Sequence, residues 1–166
     1  TGGGGAILTN DAAIAQRAKH ISTTAKLPHA WEFIHDEIGY NYRLPKLNDA
    51  LGCAQLEQLP SKLIAKRTLH KHYQVAFATV EGAKLLAEPA ECRSNYWLQT
   101  ITLNSDQAHQ RDVILQATNQ AGLMTRPVWR LMHKLKPFVT CSRMDLGTAE
   151  QLAQRLINIP SSPGLI

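Results

Sequence analysis

The sequence predicts an α/β protein of α+β character: a long kinked helix leading into a small sheet-and-helix domain. Three observations carry this. After Pro45, Leu47, Ala50, Leu51 and Ala54 recur at helical spacing, and the pattern continues through Leu56, Leu59, Leu63, Leu69, Tyr73, Phe77 and Val80. From about Gly82 the texture turns to strand–helix–strand–helix–strand, which predicts strands layered against helices. The residues before about 45 hold one strand and one helix with no partner sheet.

Taken in order, Thr1 to Thr9 predicts a Gly-rich turn and a short strand, Ala6-Ile7-Leu8-Thr9. Asn10 or Asp11 supplies a helix N-cap, and Ile14, Ala15, Ala18 and Ile21 fall on one face. Residues 22–35 lack a period and contain Pro28, which predicts a loop. Pro60 has no N–H to donate, so it should kink or split the long helix. Residues 84–87 and 96–103 predict strands; Ile101 and Leu103 alternate there with Thr100 and Thr102. A helix capped by Ser105 or Asp106 should end at Gly122, which tolerates positive φ. Residues 123–128 predict a third strand. Thr148 and Gln151 form a capping-box pair before the last helix, and residues 157–160 predict an edge segment.

Composition narrows the function. The chain is 44% hydrophobic and 19% charged, an ordinary globular balance for one domain, or one domain plus a fragment. No apolar run approaches the roughly 18 residues of a membrane span, and no basic-then-apolar leader opens the chain. The first residue is Thr, which suggests a trimmed or partial chain. The net charge of +5 comes from scattered Lys and Arg. The densest stretch, 62–72, reads as a solvated helix face, so neither nucleic acid nor membrane is an expected partner. Cys53, Cys92 and Cys141 are few and widely spaced; they predict small buried thiols in a reduced, cytoplasmic protein.

Several motifs have two readings each. Gly2 to Gly5 could cradle a phosphate with backbone N–H groups, or simply be a flexible turn; the P-loop ending is absent. His35-Asp36-Glu37 could serve acid–base chemistry, or be a polar loop. Cys53, between Gly52 and Ala54, reads as a core thiol. His70 and His72, two apart, would face different sides of a helix, and His29 and His35 have no Cys or carboxylate at zinc spacing, so no metal site is expected. Trp129, Met132, His133 and Phe138 near Arg126-Pro127 form an apolar patch, either a core edge or a ligand pocket.

Longer stretches resemble one family. They include Thr1 to Asp11, residues 22–26, Pro28-His29, Trp31-Glu32-Phe33, and residues 35–38. Gly39-Tyr40-Asn41-Tyr42-Arg43-Leu44-Pro45 and residues 50–60 follow. Later come Ser94-Asn95-Tyr96-Trp97, Arg126-Pro127-Val128-Trp129, His133-Lys134-Leu135 and residues 157–162. Together they resemble the C-terminal half of a pyridoxal-phosphate-dependent nucleotide-sugar aminotransferase of the DegT/StrS family. The nearest branch aminates UDP-linked 4-keto sugars, with glutamate as amino donor, for legionaminic-acid-type cell-surface polysaccharides. The resemblance implies the aspartate-aminotransferase (fold type I) architecture and a homodimer with shared active sites. It divides the chain into 1–45, the remnant of a large cofactor-binding domain; 46–81, a linking helix; and 82–166, the small C-terminal domain.

The resemblance also implies site roles. Asn41 would reach across the dimer to the cofactor phosphate, braced by Tyr42 and Arg43; an Asn amide offers two N–H donors for this. Arg43, His29, Trp129 and His133 would lie near the nucleotide-sugar substrate. The family's Schiff-base lysine would fall just before Thr1, and Lys26 does not match its position. The expectation is therefore no catalytic residue, no cofactor bound by this chain alone, and no transamination by it alone. The alternative is a non-catalytic dimerisation or binding module that keeps the family's small domain.

Overall fold

The computed structural model describes residues 1–166. Contacts divide them into two compact units, Thr1–Leu59 and Pro60–Ile166.

The first unit carries α1 (Ala12–Ser22) and α2 (Lys46–Glu57). Asp11 caps α1: its Oδ1 accepts from the N–H of Ala13 at 2.8 Å and of Ile14 at 3.2 Å. The strand expected over residues 6–9 does not form, because no second strand pairs with it; Ile7 and Leu8 stand exposed. The loop after α1 folds back on itself through two isolated bridges, Thr23 with Asn41 and Lys26 with His35. Asn48 ties down the start of the chain, its Nδ2 donating to Thr1 O at 2.7 Å and Gly3 O at 3.4 Å. Cys53 is exposed, as are Cys92 and Cys141, which corrects the expectation of buried thiols. Throughout this unit only Ala25 is buried.

The long helical pattern breaks at Gln58 (φ −90°, ψ −6°), two residues before Pro60, and resumes as α3 (Leu59–Phe77). A proline early in a helix loses nothing, since its N–H position has no intrahelical acceptor. Leu69 and His70 of α3 are buried, so the 62–72 stretch is only partly a solvated face.

The second unit is built on an antiparallel sheet of order β1-β2-β4-β3: β1 (Ala83–Leu85), β2 (Gln99–Leu103), β3 (Arg126–Pro127) and β4 (Leu156–Ile159). Alternation in β2 buries Gln99, Ile101 and Leu103. Ala83, Ile101, Leu103 and Ile157 form the core, with Phe77, Leu85, Ile114, Leu115 and Ile159 packed against it. The last strand lies between β2 and β3 rather than at an edge, and Ile157 is fully buried.

Two helices complete the unit. A 3-10 turn (Ser105–Gln110) enters α4 (Arg111–Gln120), and neither Ser105 nor Asp106 caps it; Asn104 precedes the turn without a side-chain bond. Gly122 closes α4 at φ +80°, as its type predicts. α5 (Gly147–Ala153) begins too early for the Thr148–Gln151 box, since Thr148 is already helical. Asp145 Oδ1 instead accepts from Gly147 N at 3.0 Å. No helix is long and apolar enough to cross a membrane.

Candidate functional site

Two groups of side chains stand out, one on each unit. On the first, Asn41 and Arg43 occupy a turn held from behind by backbone bonds. Tyr40 N–H donates to Ile21 O at 2.7 Å, Tyr42 N–H to Ser22 O at 2.9 Å, and Thr24 N–H to Tyr40 O at 3.0 Å. Thr24 and Ala25 take left-handed φ values of 74° and 49°, which bring their backbone onto Gly39. A Cβ at Gly39 would lie 2.4 Å from Ala25 N, so only glycine fits there.

Ion pairs fasten the same loop to α1. Arg17 grips both carboxylate oxygens of Glu37, and His20 Nε2 lies 2.7 Å from Asp36 Oδ1. The hydrogen bond from Arg17 holds the Glu37 carboxyl below its ordinary range, and that from His20 does the same for Asp36. His20, Asp36 and Glu37 bring three ligand atoms within 4.8 Å of one another, a grouping that histidine spacing did not reveal. With Glu37 given over to Arg17, the grouping reads as an ion-pair network. This also resolves the acid–base reading of residues 35–37, whose polar groups tie the loop down.

Arg43 pairs with neither carboxylate. Its Nη2 donates to Thr23 O at 3.0 Å and its Nη1 to Asn41 Oδ1 at 3.3 Å. That contact sets the Asn41 amide: Oδ1 faces Arg43, and Nδ2 donates to nothing within the chain. Asn41 therefore offers two free N–H donors from an exposed, braced turn. His29 lies apart from this pair. Its Nδ1 accepts from Glu32 N–H at 2.9 Å, and its ring meets Trp31 edge-on at 5.2 Å.

On the second unit, Trp129 and Trp97 stack at 5.9 Å with 29° between their planes. They border a cavity of about 770 Å³, together with Lys66, Met124, Arg126 and Asn158. Tyr96, at φ 47°, turns the chain so that Trp97 faces Trp129. Lys66 clamps this turn: its Nζ donates to Tyr96 O and Trp97 O at 3.1 Å each and to Ser161 O at 2.7 Å. Burial pushes the Lys66 ammonium below its ordinary pKa. His133 lies in a separate cavity of about 350 Å³ with Met132 and Phe138, and its Nε2 is 2.6 Å from Glu150 Oε1. That bond, with Lys134 nearby, draws the Glu150 carboxyl downward.

The apolar patch foreseen around Trp129 is thus divided between two cavities. Lys66, Trp97 and Asn158 escaped notice as site residues. For Trp97, an aromatic next to a turn was the available signal; Asn158 had none, since an Asn in an apolar strand looks like a loop residue.

The family model for DegT/DnrJ/EryC1/StrS aminotransferases matches residues 1–166. EpsN of Bacillus subtilis (strain 168), named as a pyridoxal phosphate-dependent aminotransferase, is 32% identical over 169 residues, covering 99% of this chain and 43% of EpsN. A GDP-perosamine synthase of Escherichia coli O157:H7 is 30% identical over 165 residues, covering 99% of this chain and 44% of that protein. Among solved structures, Helicobacter pylori PseC, an aminotransferase of pseudoaminic acid biosynthesis, superposes with a TM-score of 0.86 at 20% identity, over 95% of this chain and 43% of its own. The chain spans less than half the length of these relatives. Its fold is the C-terminal part of the fold type I aminotransferase architecture. The chain belongs to the DegT/DnrJ/EryC1/StrS aminotransferase family.

Proposed function

We propose that this chain supplies the phosphate-binding turn and the small domain of a pyridoxal-phosphate-dependent aminotransferase acting on a nucleotide sugar. The observation that carries this is Asn41: two unpaired amide donors on a turn that Gly39, Arg43 and the Arg17–Glu37 pair hold in place. Such donors suit phosphate oxygens, so the residues present fit the cofactor's phosphate. Arg43 fixes the amide and adds a permanent positive charge beside it. When bound, pyridoxal phosphate supplies the electron sink through which an amino group is exchanged. On this reading the substrate is a UDP-linked 4-keto sugar, glutamate is the donor, and the protein works in the cytoplasm. His29, Trp129 and His133 are the proposed substrate contacts.

A dimer belongs to the same proposal. Apolar side chains of the first unit, among them Ile7, Leu8, Trp31, Phe33 and Ile38, stand exposed, a surface that a second copy would cover. Light scattering at micromolar concentration should show a dimer or larger; a strictly monomeric mass would count against it.

The phosphate site is tested by titrating the protein with pyridoxal phosphate and following amide shifts of residues 39–45. A phosphate held by Asn41 and Arg43 alone should bind at about the millimolar level, roughly 4 kcal/mol. Asn41→Ala should abolish the shifts. No perturbation at several millimolar, or perturbation unchanged in Asn41→Ala, overturns the assignment.

A further inference from the structure

We propose that the Trp97–Trp129 cavity of the second unit seats the base and adjoining phosphate of the nucleotide, with Asn158 donating to an acceptor on the base edge and Arg126 meeting the phosphate. The proposal rests on the nucleotide-sugar reading and adds to it the groups that recognise the nucleotide.

Asn158 is the anchor. It is only 8% exposed, yet half of its amide has no partner. Its Oδ1 accepts from Thr100 Oγ1 at 2.8 Å, while its Nδ2 donates no hydrogen bond within the chain. No fully buried side-chain nitrogen or oxygen is left unpaired, so Nδ2 must reach open space, and the space that Asn158 lines is this cavity. The cavity floor therefore presents an open N–H donor to an acceptor on a ligand.

Sheet register puts the cation beside it. Thr100, Asn158 and Arg126 are paired across β2, β4 and β3, so their side chains share one face of the sheet. Arg126 spends Nη1 on Asn119 Oδ1 at 2.6 Å and Thr125 O at 2.7 Å. Its Nε and Nη2 are uncommitted, and no carboxylate pairs with it. An unneutralised guanidinium on a cavity rim suits a phosphate.

The indoles supply the third element. Both are 67% exposed, a large apolar surface to leave in water. They stand too close together for a third ring to enter between them, so a planar ligand stacks on an outer face. Lys66 spends its three N–H donors on Tyr96 O, Trp97 O and Ser161 O, so the wall is built in advance of binding.

A bare anion would use Arg126 and leave the indoles idle. A hydrocarbon would do the reverse and leave Nδ2 unpaired. A nucleotide uses all three elements. The donor at the floor can meet a carbonyl of uracil or guanine or a ring nitrogen of adenine, so it fixes a base edge without choosing among bases.

The test compares UMP, AMP and ribose 5-phosphate on the full chain, read by tryptophan fluorescence and by amide shifts, including the Asn158 side-chain NH2. UMP and AMP should both quench the indoles, shift that NH2, and bind about tenfold tighter than ribose 5-phosphate, the value of one stacked base. Asn158→Ala should weaken both nucleotides by about fivefold, the value of one net hydrogen bond, and leave ribose 5-phosphate unchanged. Trp97→Ala should weaken both nucleotides by about tenfold and leave ribose 5-phosphate unchanged. Arg126→Gln should weaken all three ligands. Should Asn158→Ala lose the sheet by circular dichroism, the two variants at exposed positions carry the test. Nucleotides that bind no tighter than ribose 5-phosphate, a silent Asn158 NH2, or nucleotide binding indifferent to Trp97→Ala and Arg126→Gln overturns the proposal. A nucleotide response without any pyridoxal phosphate response at residues 39–45 would remove the Asn41 assignment alone; the converse result would remove this one alone.

Discussion

The two units of this chain are held together by different forces. Residues 60–166 close over an apolar core of Ala83, Ile101, Leu103 and Ile157. Residues 1–59 bury one hydrophobic residue, Ala25, and are organised by backbone bonds, a helix cap and the pairs Arg17–Glu37 and His20–Asp36. Burial is the dominant stabilising term in folding, whereas exposed ion pairs contribute at most about 1 kcal/mol each. The second unit should thus resist perturbation as a cooperative body. The first should respond piecemeal, and should gain most from a partner that covers its apolar side chains.

The largest effect is expected in the second unit. Ile157→Ala removes a fully buried side chain from the central strand and should cost about 2–5 kcal/mol in denaturant unfolding. A loss below 1 kcal/mol would mean that the core is looser than its burial implies.

Gly39→Ala should come next, and in the other unit. Its new Cβ meets Ala25 backbone, so the loop must shift at a cost of about 1–3 kcal/mol. Hydrogen exchange should quicken at Thr24, Tyr40 and Tyr42 while Ile101 and Ile157 keep their protection. Equal loss in both sets would show that the units do not behave separately.

Asp11→Ala removes the α1 cap and should cost about 1 kcal/mol, read as faster exchange confined to the first turn of that helix.

Acid should give the gentlest difference. Asp36 and Glu37 have folded pKa values depressed below the ordinary 3.8 and 4.5, so their pairing stabilises the fold above those values. That stability is lost as pH falls from about 4.5 through the depressed values. Glu88, held down by Arg67 and by Ser94 N–H, loosens in the same window, but the apolar core of its unit does not titrate. Protection from exchange, relative to the intrinsic rate at each pH, should fall at Thr24 and Tyr40 before Ile101 as pH is lowered from about 5 to about 3.

Much of the local structure was legible in the chain. The cap at Asp11, the break near Pro60, the left-handed Gly122 and the alternation of Ile101 and Leu103 follow from residue type within a few positions. The strand at residues 6–9 failed, as did the caps at Ser105 and Thr148 and the edge position of residues 157–160. Each depends on what lies opposite, or on where a helix starts. Of the candidate site, the 39–45 turn and Trp129 were visible as motifs. The division of Trp129 from His133 was not, because two cavities four residues apart look like one patch in sequence.

The sequence by itself determined the family and the small-domain architecture, since both rest on long ordered stretches and on periodicity. Only the tertiary structure decided that Arg43 orients Asn41, that Arg17 claims Glu37, that Lys66 clamps Trp97, and that Asn158 keeps an unpaired amide beside Arg126. Those contacts join residues up to 58 positions apart. Which donor meets which acceptor is set by strand register and loop closure, neither of which any local run of residues encodes.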